Sequence, residues 1–262
     1  MMKRNGFTLI ELVLVIAILG IISVGFVGFI NIGSNVYENV SGRDALISDA
    51  RFSVERLNRE LRNALPNSIR ITDDGTNYCL EFIPIKTSHI YTNIAADGDP
   101  AIDEISVIKA SVTYTNEDED RVVVYPIDLN DGYDLALNKA AQIDEVDTSG
   151  NVWLIDLLGT TGISFASDSP NERLFIVDQP VSYCINEGSG QMHRSTDYDF
   201  NDSPTVVSGG VLMAENLDVS STLPFAFDQK LQSDAIVQVN LTFVRNGETV
   251  FFSNGVHITN VP

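Results

Sequence analysis

The pattern of hydrophobic and polar positions divides the chain at about residue 65. Between Leu12 and Ile30 the sequence has one hydroxyl side chain, Ser23, and no charged residue. A helix of this length, at about 1.5 Å per residue, reaches across the roughly 30 Å hydrocarbon core of a bilayer. The apolar run therefore predicts a membrane-spanning helix near the N-terminus.

A second helical pattern follows the apolar run and has one apolar face. The apolar residues there are spaced by three, four or seven positions, namely Val36, Val40, Ile47, Ala50, Val54, Leu57, Leu61 and Leu65. This spacing is typical of a helix that lies on a core. Pro66 disfavours a helical residue before it. We therefore predict one helix from about Thr8 to Leu65, with weak points at 31–35 and at Gly42.

After Pro66 the pattern changes from helical spacing to short alternating runs, which predict strands. Predicted strands cover 68–72, 78–85, 106–115, 121–125, 152–158, 162–165, 174–185, 235–244, 249–253 and 255–261. Loops are predicted at 86–104 and 186–204, and a helical segment at 135–143. Asn246-Gly247 predicts a two-residue hairpin turn. The fold class is therefore α+β, with a long N-terminal helix on a mostly antiparallel sheet.

The charge of the chain is strongly acidic, with a formal value of −20. Nucleic-acid partners are excluded as a class because a phosphate-binding surface needs clustered basic residues. One basic cluster does stand out on the second helical segment, formed by Arg51, Arg56, Arg59 and Arg62. It is a candidate partner surface, although such clusters are more often solvated helix faces.

Patterns for chemistry are weak, so we predict a non-enzyme with no cofactor and no metal. His89, His193 and His257 are far apart and are predicted to be surface or loop residues rather than ligands. Ser164 lies in a run that lacks the last glycine of a nucleophile elbow, which leaves an anchored hydrolase as the weakest alternative.

Two acidic segments offer hard oxygens for calcium but do not match the EF-hand pattern. They contain Asp97 and Asp99 in one case, and Asp128, Asn130, Asp131 and Asp134 in the other. Turn chemistry accounts for the same residue types.

The chain has two cysteines, Cys79 and Cys184, both in apolar, strand-like surroundings. In an oxidising compartment they can pair and close a loop of about 100 residues, which stabilises a fold by about 4 kcal/mol in the chain-entropy model. Two buried free thiols are the alternative.

The first residues have the reverse order of a secretory signal, because Gly6 precedes the apolar run and follows the basic Lys3 and Arg4. The segment from Gly6 to Glu11, Gly-Phe-Thr-Leu-Ile-Glu, resembles the prepilin motif of type IV pilins and type II secretion pseudopilins. The resemblance implies cleavage after Gly6 by a prepilin peptidase and N-methylation of Phe7. It also implies that Glu11 pairs with the N-terminal amine of a neighbouring subunit.

One position departs from the resemblance. Many major pilins have a proline where this chain has Gly28. Gly25 and Gly28 either loosen the helix locally or allow close helix packing, and the sequence leaves both readings open.

Further resemblance covers the N-terminal third and the C-terminal end of the chain. Residues Val54–Ser68 and Cys79–Phe82, with the ending Val256–Pro262, are similar to minor pilins of the mannose-sensitive haemagglutinin (MSHA) pilus, and Asn246–Val250 is similar to J-type minor pseudopilins. The implied domains are a leader (1–6), a transmembrane and assembly segment (7–34), an amphipathic helical segment (35–65) and a periplasmic head (66–262).

The expected function is that of a minor pilin in the bacterial inner membrane, with one span and a periplasmic head that can be incorporated in the pilus. The expected partners are other minor and major pilins, the prepilin peptidase and the assembly platform. A type II secretion pseudopilin and a membrane-anchored glycan-binding module, with its site in the loops 86–104 and 186–204, remain alternatives.

Overall fold

The computed structural model contains one long helix followed by strands. It describes residues 8–109, 111, 114–115, 117, 119–159, 161–201, 210–229 and 234–259. The helix α1 covers Leu9–Leu61, and a short 3-10 helix covers Leu135–Leu137. The strands are β1 (Arg70–Asp73), β2 (Asn77–Phe82), β3 (Ile85–Asn93), β4 (Glu104–Ile108), β5 (Arg121–Val124), β6 (Ala140–Asp147), β7 (Val152–Leu157), β8 (Arg173–Val177), β9 (Val181–Asn186), β10 (Gln191–Ser195), β11 (Val211–Ala214), β12 (Phe225–Gln229), β13 (Asp234–Arg245) and β14 (Glu248–Thr259).

The chain divides into two compact units, Met1–Ser48 and Asp49–Pro262. From Leu9 onwards the first unit is helical, and its apolar side chains from Leu9 to Ile32 are exposed. Among the described residues, α1 is the one helix long and apolar enough to cross a membrane, judged by length and composition. An exposed apolar helix of this kind is stable only when lipid or other helices cover it.

In the second unit, the end of α1 lies on a five-stranded sheet with the order β1-β2-β9-β10-β11. Leu57 and Leu61 are fully buried, in agreement with the predicted apolar face. The Ser53 hydroxyl, also buried, lies 2.9 Å from the carbonyl oxygen of Met213 in β11. The predicted apolar face is therefore buried from Ala50 to Leu65, whereas Val36 and Val40, at the start of the same predicted face, are exposed.

Strands β3 to β8 form a closed antiparallel barrel with the order β3-β4-β7-β6-β5-β8. The barrel is an insertion, because β2 and β9 on either side of it in the chain are paired neighbours in the five-stranded sheet. Its interior is filled by buried side chains, among them Tyr91, Trp153 and Phe165. A small barrel filled in this way is held together by the packing of its own side chains.

The C-terminal residues form a three-stranded sheet with the order β12-β13-β14. Strands β13 and β14 pair over their full length, from Asp234↔Thr259 to Arg245↔Glu248. The predicted turn joins them, with φ of 52° at Asn246 and 82° at Gly247. Positive φ at both positions is what a type I′ turn requires, and glycine and asparagine adopt it at the lowest cost.

Several predicted boundaries were wrong. Helix α1 ends at Leu61 rather than Leu65, because the next backbone groups pair with the β2–β3 connection: Leu65 N donates to Ile83 O at 2.7 Å, and Ile85 N donates to Asn63 O at 2.8 Å. No break occurs at 31–35 or at Gly42.

Strands also occupy segments that were predicted to be loop or helix. The segment 86–104 contains most of β3, the segment 186–204 contains β10, and 135–143 contains the 3-10 helix and the start of β6. The predicted separate strands 249–253 and 255–261 form a single strand, β14, as far as Thr259, and 260–261 lie outside the described residues. Strands β3 and β6 are each paired on both sides in the barrel, β3 with β4 and with the distant β8, and β6 with β5 and β7, and this pairing outweighs their weak local pattern.

Gly132 lies in the β5–β6 connection, where that connection packs closely against Leu65 and Ile83. A Cβ atom at this position would lie 2.7 Å from Leu65 Cδ2 and 2.8 Å from Ile83 Cδ1, both in fully buried side chains. We expect Gly132→Ala to lower the free energy of unfolding by about 2 kcal/mol, as overpacking of a filled core does. Urea unfolding of the full chain in detergent measures the change. Gly188→Ala is the matched control, since its Cβ would meet only Asn186 Oδ1 at 3.5 Å; an equal loss in both variants would contradict the packing explanation.

Candidate functional site

The start of α1 places Glu11 next to Thr8. The backbone N–H and the hydroxyl of Thr8 both donate to Glu11 Oε2, at 3.0 and 2.8 Å. In return, the backbone N–H of Glu11 donates to Thr8 Oγ1 at 3.4 Å. This reciprocal arrangement is a capping box, with Thr8 as the N-cap. The Thr-x-x-Glu spacing is a local signal of a helix start, and it could have assigned this second role to Glu11 from the sequence. Gly6 and Phe7, the predicted processing residues, lie outside the described residues.

Glu11 is the one charged side chain between Leu9 and Tyr37, in a stretch of helix that is otherwise mostly apolar and exposed. Gly25 and Gly28 lie within the same unbroken helix, and a Cβ at either position would have nothing within 4 Å. Both glycines therefore lie on open helix surface.

The basic cluster contains one partly buried residue, Arg56, and three exposed ones. Arg56 Nε lies 3.0 Å from Glu60 Oε1, one helical turn further on. Arg51, Arg59 and Arg62 are exposed. Arg56 is thus engaged by Glu60, and the other three arginines lie on one side of this segment.

Glu60 joins the helix to the five-stranded sheet. Its Oε2 accepts hydrogen bonds from Arg194 Nε in β10 at 2.9 Å and from the Tyr183 hydroxyl in β9 at 3.0 Å. Burial raises the pKa of Glu60, but the hydrogen bonds from Arg194 and Arg56 outweigh burial and bring the pKa below its ordinary value of 4.5. The sequence did not indicate this cluster, because Arg194 lies 134 residues further along the chain.

We expect Glu60→Gln to lower the free energy of unfolding at pH 7 by about 2 kcal/mol, since it removes charge-assisted hydrogen bonds. The folded-state pKa is below the unfolded value, so the stabilisation is present above pH 4.5 and is lost as the pH falls through the folded-state pKa. Urea unfolding of the full chain between pH 3 and pH 7 should therefore show the variant and the wild type converging at low pH. The exposed Glu55→Gln is the control, and a gap independent of pH would contradict the charge explanation.

Glu81 lies on the opposite face of the same sheet and is fully buried. Its Oε2 accepts a hydrogen bond from the Tyr198 hydroxyl at 2.8 Å, and its Oε1 lies 3.5 Å from Arg70 Nη1. Burial raises the pKa of Glu81 above 4.5 despite both partners. The stability that this group contributes is therefore greatest at low pH and is lost as the pH rises through the folded-state pKa, opposite to the effect of Glu60.

Cys79 and Cys184 form a disulfide in the structure. They are directly paired across β2 and β9, the two strands that lead into and out of the barrel. The disulfide therefore closes the base of the insertion.

The predicted calcium ligands in the second acidic segment form turn hydrogen bonds and a hydrogen bond with Arg70. The Asp131 carboxylate accepts from Ile127 N and Asp128 N at 2.8 and 2.9 Å, and Asn130 Oδ1 accepts from Arg70 Nη2 at 2.9 Å. Asp134 caps the 3-10 helix. These contacts are the turn chemistry that the sequence offered as the alternative.

A different acidic group is close enough for a shared cation. Single carboxylate oxygens of Glu117, Asp120 and Asp178 lie within 4.8 Å of one another. Lys86 Nζ lies between them, 2.7 Å from both Glu117 Oε2 and Asp120 Oδ1. The protein thus supplies its own cation to this group.

His89 corrects the prediction that all three histidines are surface or loop residues. It lies in β3 and is 3% exposed, with its ring centroid 4.9 Å from that of Trp153. His89 is therefore a core side chain, and its burial lowers the pKa of the ring.

An open cavity of about 450 Å3 lies beside Glu60, where the end of α1 meets the ends of β9 and β10. Charged groups of both signs line it, including Arg59, Arg194, Asp178 and Asp197. Such a lining suits a polar ligand or a polar contact better than an apolar one.

Comparison with known proteins identifies the N-terminal segment. The prokaryotic N-terminal methylation motif matches residues 1–27. No curated protein and no solved structure matches this chain. The motif together with the exposed apolar helix indicates a type IV pilin-like protein with an N-terminal segment consistent with a single-pass membrane anchor.

Proposed function

We propose that this protein is a minor pilin of an MSHA-type type IV pilus, similar to the MshO minor pilin, and that it primes or caps pilus assembly from the inner membrane. One observation carries the proposal: the methylation motif leads directly into an exposed apolar helix whose one charge is Glu11. A carboxylate in an apolar layer is costly unless a cation pairs with it. The α-amine of a neighbouring subunit, in the same layer, is such a cation.

The proposal assigns a role to each segment. Residues 1–6 are the leader that a prepilin peptidase removes, 7–34 hold the protein in the membrane and then in the filament, and 35–65 support the head, 66–262, in the periplasm. The basic leader orients the chain with its N-terminus in the cytoplasm. Major pilins, other minor pilins and the assembly platform are the proposed partners.

The N-terminal residue of the protein tests the proposal. Mass spectrometry of the full chain from cells with a prepilin peptidase should find N-methylated Phe7 as the first residue. The same chain from cells without the peptidase is the control and should begin upstream of Gly6. A chain that keeps Met1 or Met2 in both cells would overturn the proposal.

The pseudopilin alternative shares the processing and differs in the machine. Deletion of the gene separates the two: loss of surface pili with normal exoprotein secretion supports the pilus, and the reverse supports the secretion system. The similarity of Val54–Ser68 to the pilus protein favours the first.

The cavity beside Glu60 is the observation behind a second candidate function, that of a membrane-anchored glycan-binding module. Its polar lining includes Thr196 and Asp197 from the segment 186–204, one of the two segments that the sequence assigns to this site. None of the described residues that line the cavity belongs to the other segment, 86–104. A glycan array probed with the full chain in detergent tests this function, and absence of binding across the array would count against it.

A further inference from the structure

The outward side of α1 in the second unit has a basic stripe, which we define as Arg51, Phe52, Glu55, Arg59 and Arg62. These positions lie within about 100° of one another around a helix with 3.6 residues per turn, and all five are exposed. Phe52 is 59% exposed and lies among the three arginines of the stripe. Arginine and an aromatic residue together are the composition enriched at protein interfaces.

The positive charge of the stripe contrasts with the rest of the second unit. Nine basic and thirty acidic side chains follow residue 65, a formal charge of −21. Five of the nine basic groups are turned to internal partners, namely Arg70 to Glu81, Lys86 to Asp120, Arg121 to Tyr133 O, Lys139 to Tyr125 O and Arg194 to Glu60. The strands therefore present a mainly acidic surface, and the basic stripe has the opposite charge.

Three carboxylates form an acidic row on the outside of the barrel: Glu104 in β4, Asp156 in β7 and Glu145 in β6. Asp156 is directly paired with Glu104 on one side and with Glu145 on the other, and all three are exposed. Like charges directly opposite each other destabilise a sheet. An external cationic surface would relieve this repulsion.

We propose that the basic stripe of one copy of this chain docks on the acidic row of a second copy. The charge complementarity of the two surfaces carries the inference. It goes beyond the proposed function, which names other pilins as partners, by adding a contact between the heads of two copies. The two surfaces are different patches, so the contact is heterologous and each copy keeps one free stripe and one free row. Repeated, a contact of this type generates a ring or an open filament.

The spacing of the two surfaces agrees with this docking. Arg62 directly follows α1, and its N–H still donates to Asn58 O at 3.3 Å. Arg59 and Arg62 are therefore separated by about 4.5 Å along the continued helix axis, at 1.5 Å per residue. Neighbouring strands lie about 4.8 Å apart. A helix that crosses the strands at a right angle therefore brings each arginine to a carboxylate of a different strand.

Disulfide trapping between two tagged copies of the full chain tests the contact. One copy has Arg59→Cys and the other has Asp156→Cys, and both are co-expressed in the same membranes under oxidising conditions. A disulfide-linked dimer with both tags is the expected result. The matched control replaces Asp156→Cys by Glu187→Cys, an exposed acidic position on the β9–β10 turn. No mixed dimer, or equal amounts in both pairs, would overturn the proposal.

Charge reversal gives a second measurement. Arg59→Glu with Arg62→Glu in one copy should reduce co-purification of the other tag about tenfold, the effect of two exposed ion pairs. Glu104→Lys with Asp156→Lys in the second copy should restore it. Arg245→Glu, at an exposed position of β13, is the control and should change little. A loss without restoration would overturn the docking on the acidic row and point to another acidic partner, such as an anionic lipid surface.

The N-terminal residue of the same protein separates this inference from the proposed function. Processing to Phe7 without a trapped dimer overturns the docking alone. A trapped dimer of chains that all begin at the unprocessed N-terminus overturns the pilin proposal alone.

Discussion

If the proposed function holds, we expect Glu11→Val to remain in the membrane and to be recovered in assembled pili about 100-fold less than the wild type, the size of effect that follows when one partner of a buried, hydrogen-bonded charge pair is removed. The variant is expected to insert normally because valine extends the apolar run. Its assembly fails because the carboxylate that would pair with the amine of a neighbouring subunit is gone.

The structure also gives Glu11 a local role, which the experiment must separate from assembly. Glu11 and Thr8 cap the start of α1 through the reciprocal hydrogen bonds. Thr8→Val removes the hydroxyl of this capping box, which weakens the start of the helix, and keeps the charge. Assembly that survives Thr8→Val and fails in Glu11→Val assigns the effect to the charge.

Recovery is measured by immunoblotting of sheared pili against the membrane fraction of the same cells. Glu38→Val is the matched control, since Glu38 is an exposed glutamate on the same helix beyond the apolar run. Pili that contain the Glu11→Val protein at the wild-type level would show that the charge is dispensable. Equal failure of Glu38→Val would indicate a general loss of helix solubility.

The second large effect is expected from the double variant Cys79→Ala with Cys184→Ala. The disulfide joins residues separated by 105 positions, and removing a cross-link of this length destabilises a fold by about 4 kcal/mol in the chain-entropy model. The loop that it closes includes the whole barrel. Without the bond, the base of the insertion is held by the β2–β9 backbone pairing and side-chain packing alone.

Urea unfolding of the full chain in detergent, followed by circular dichroism, gives the change in the free energy of unfolding. The wild type under reducing conditions is the control. It should match the double variant in the free energy of unfolding, because both lack the disulfide bond, although only the variant also lacks the two sulfur atoms. A loss of less than about 1 kcal/mol in both would mean that the barrel and the sheet are held together without the cross-link. Loss in the variant but not in the reduced wild type would assign the effect to cavities left by the two side chains.

The helix and the last hairpin were predictable because their signals are local. The apolar run, the three- and four-residue spacing up to Leu61 and the Asn246-Gly247 turn each specify backbone geometry within a few residues. The methylation motif is local as well, and it indicates the class of protein from the first residues of the chain alone. The sequence also indicated Glu11 as a candidate functional residue, because it is the one charged residue in an apolar helical stretch.

The barrel and the contacts between elements depend on residues that are distant in the chain. Strand β3 is mostly polar, and only its pairing with both β4 and β8 turns His89 and Tyr91 inward. The partners of the Glu60 Oε2 atom lie in β9 and β10, more than 120 residues away, so no local pattern shows that Arg194 binds this carboxylate.

The two cysteines illustrate the same division between local and distant information. Their spacing in the chain is compatible with a disulfide and with two free thiols, and only the β2–β9 register places Cys79 opposite Cys184. The sequence by itself determined the anchor helix, its charge and the terminal hairpin, because hydrophobicity and turn geometry act over a few residues. Only the tertiary structure decided the inserted barrel, the disulfide and which arginines face outward, because strand pairing and burial join groups that the sequence keeps far apart.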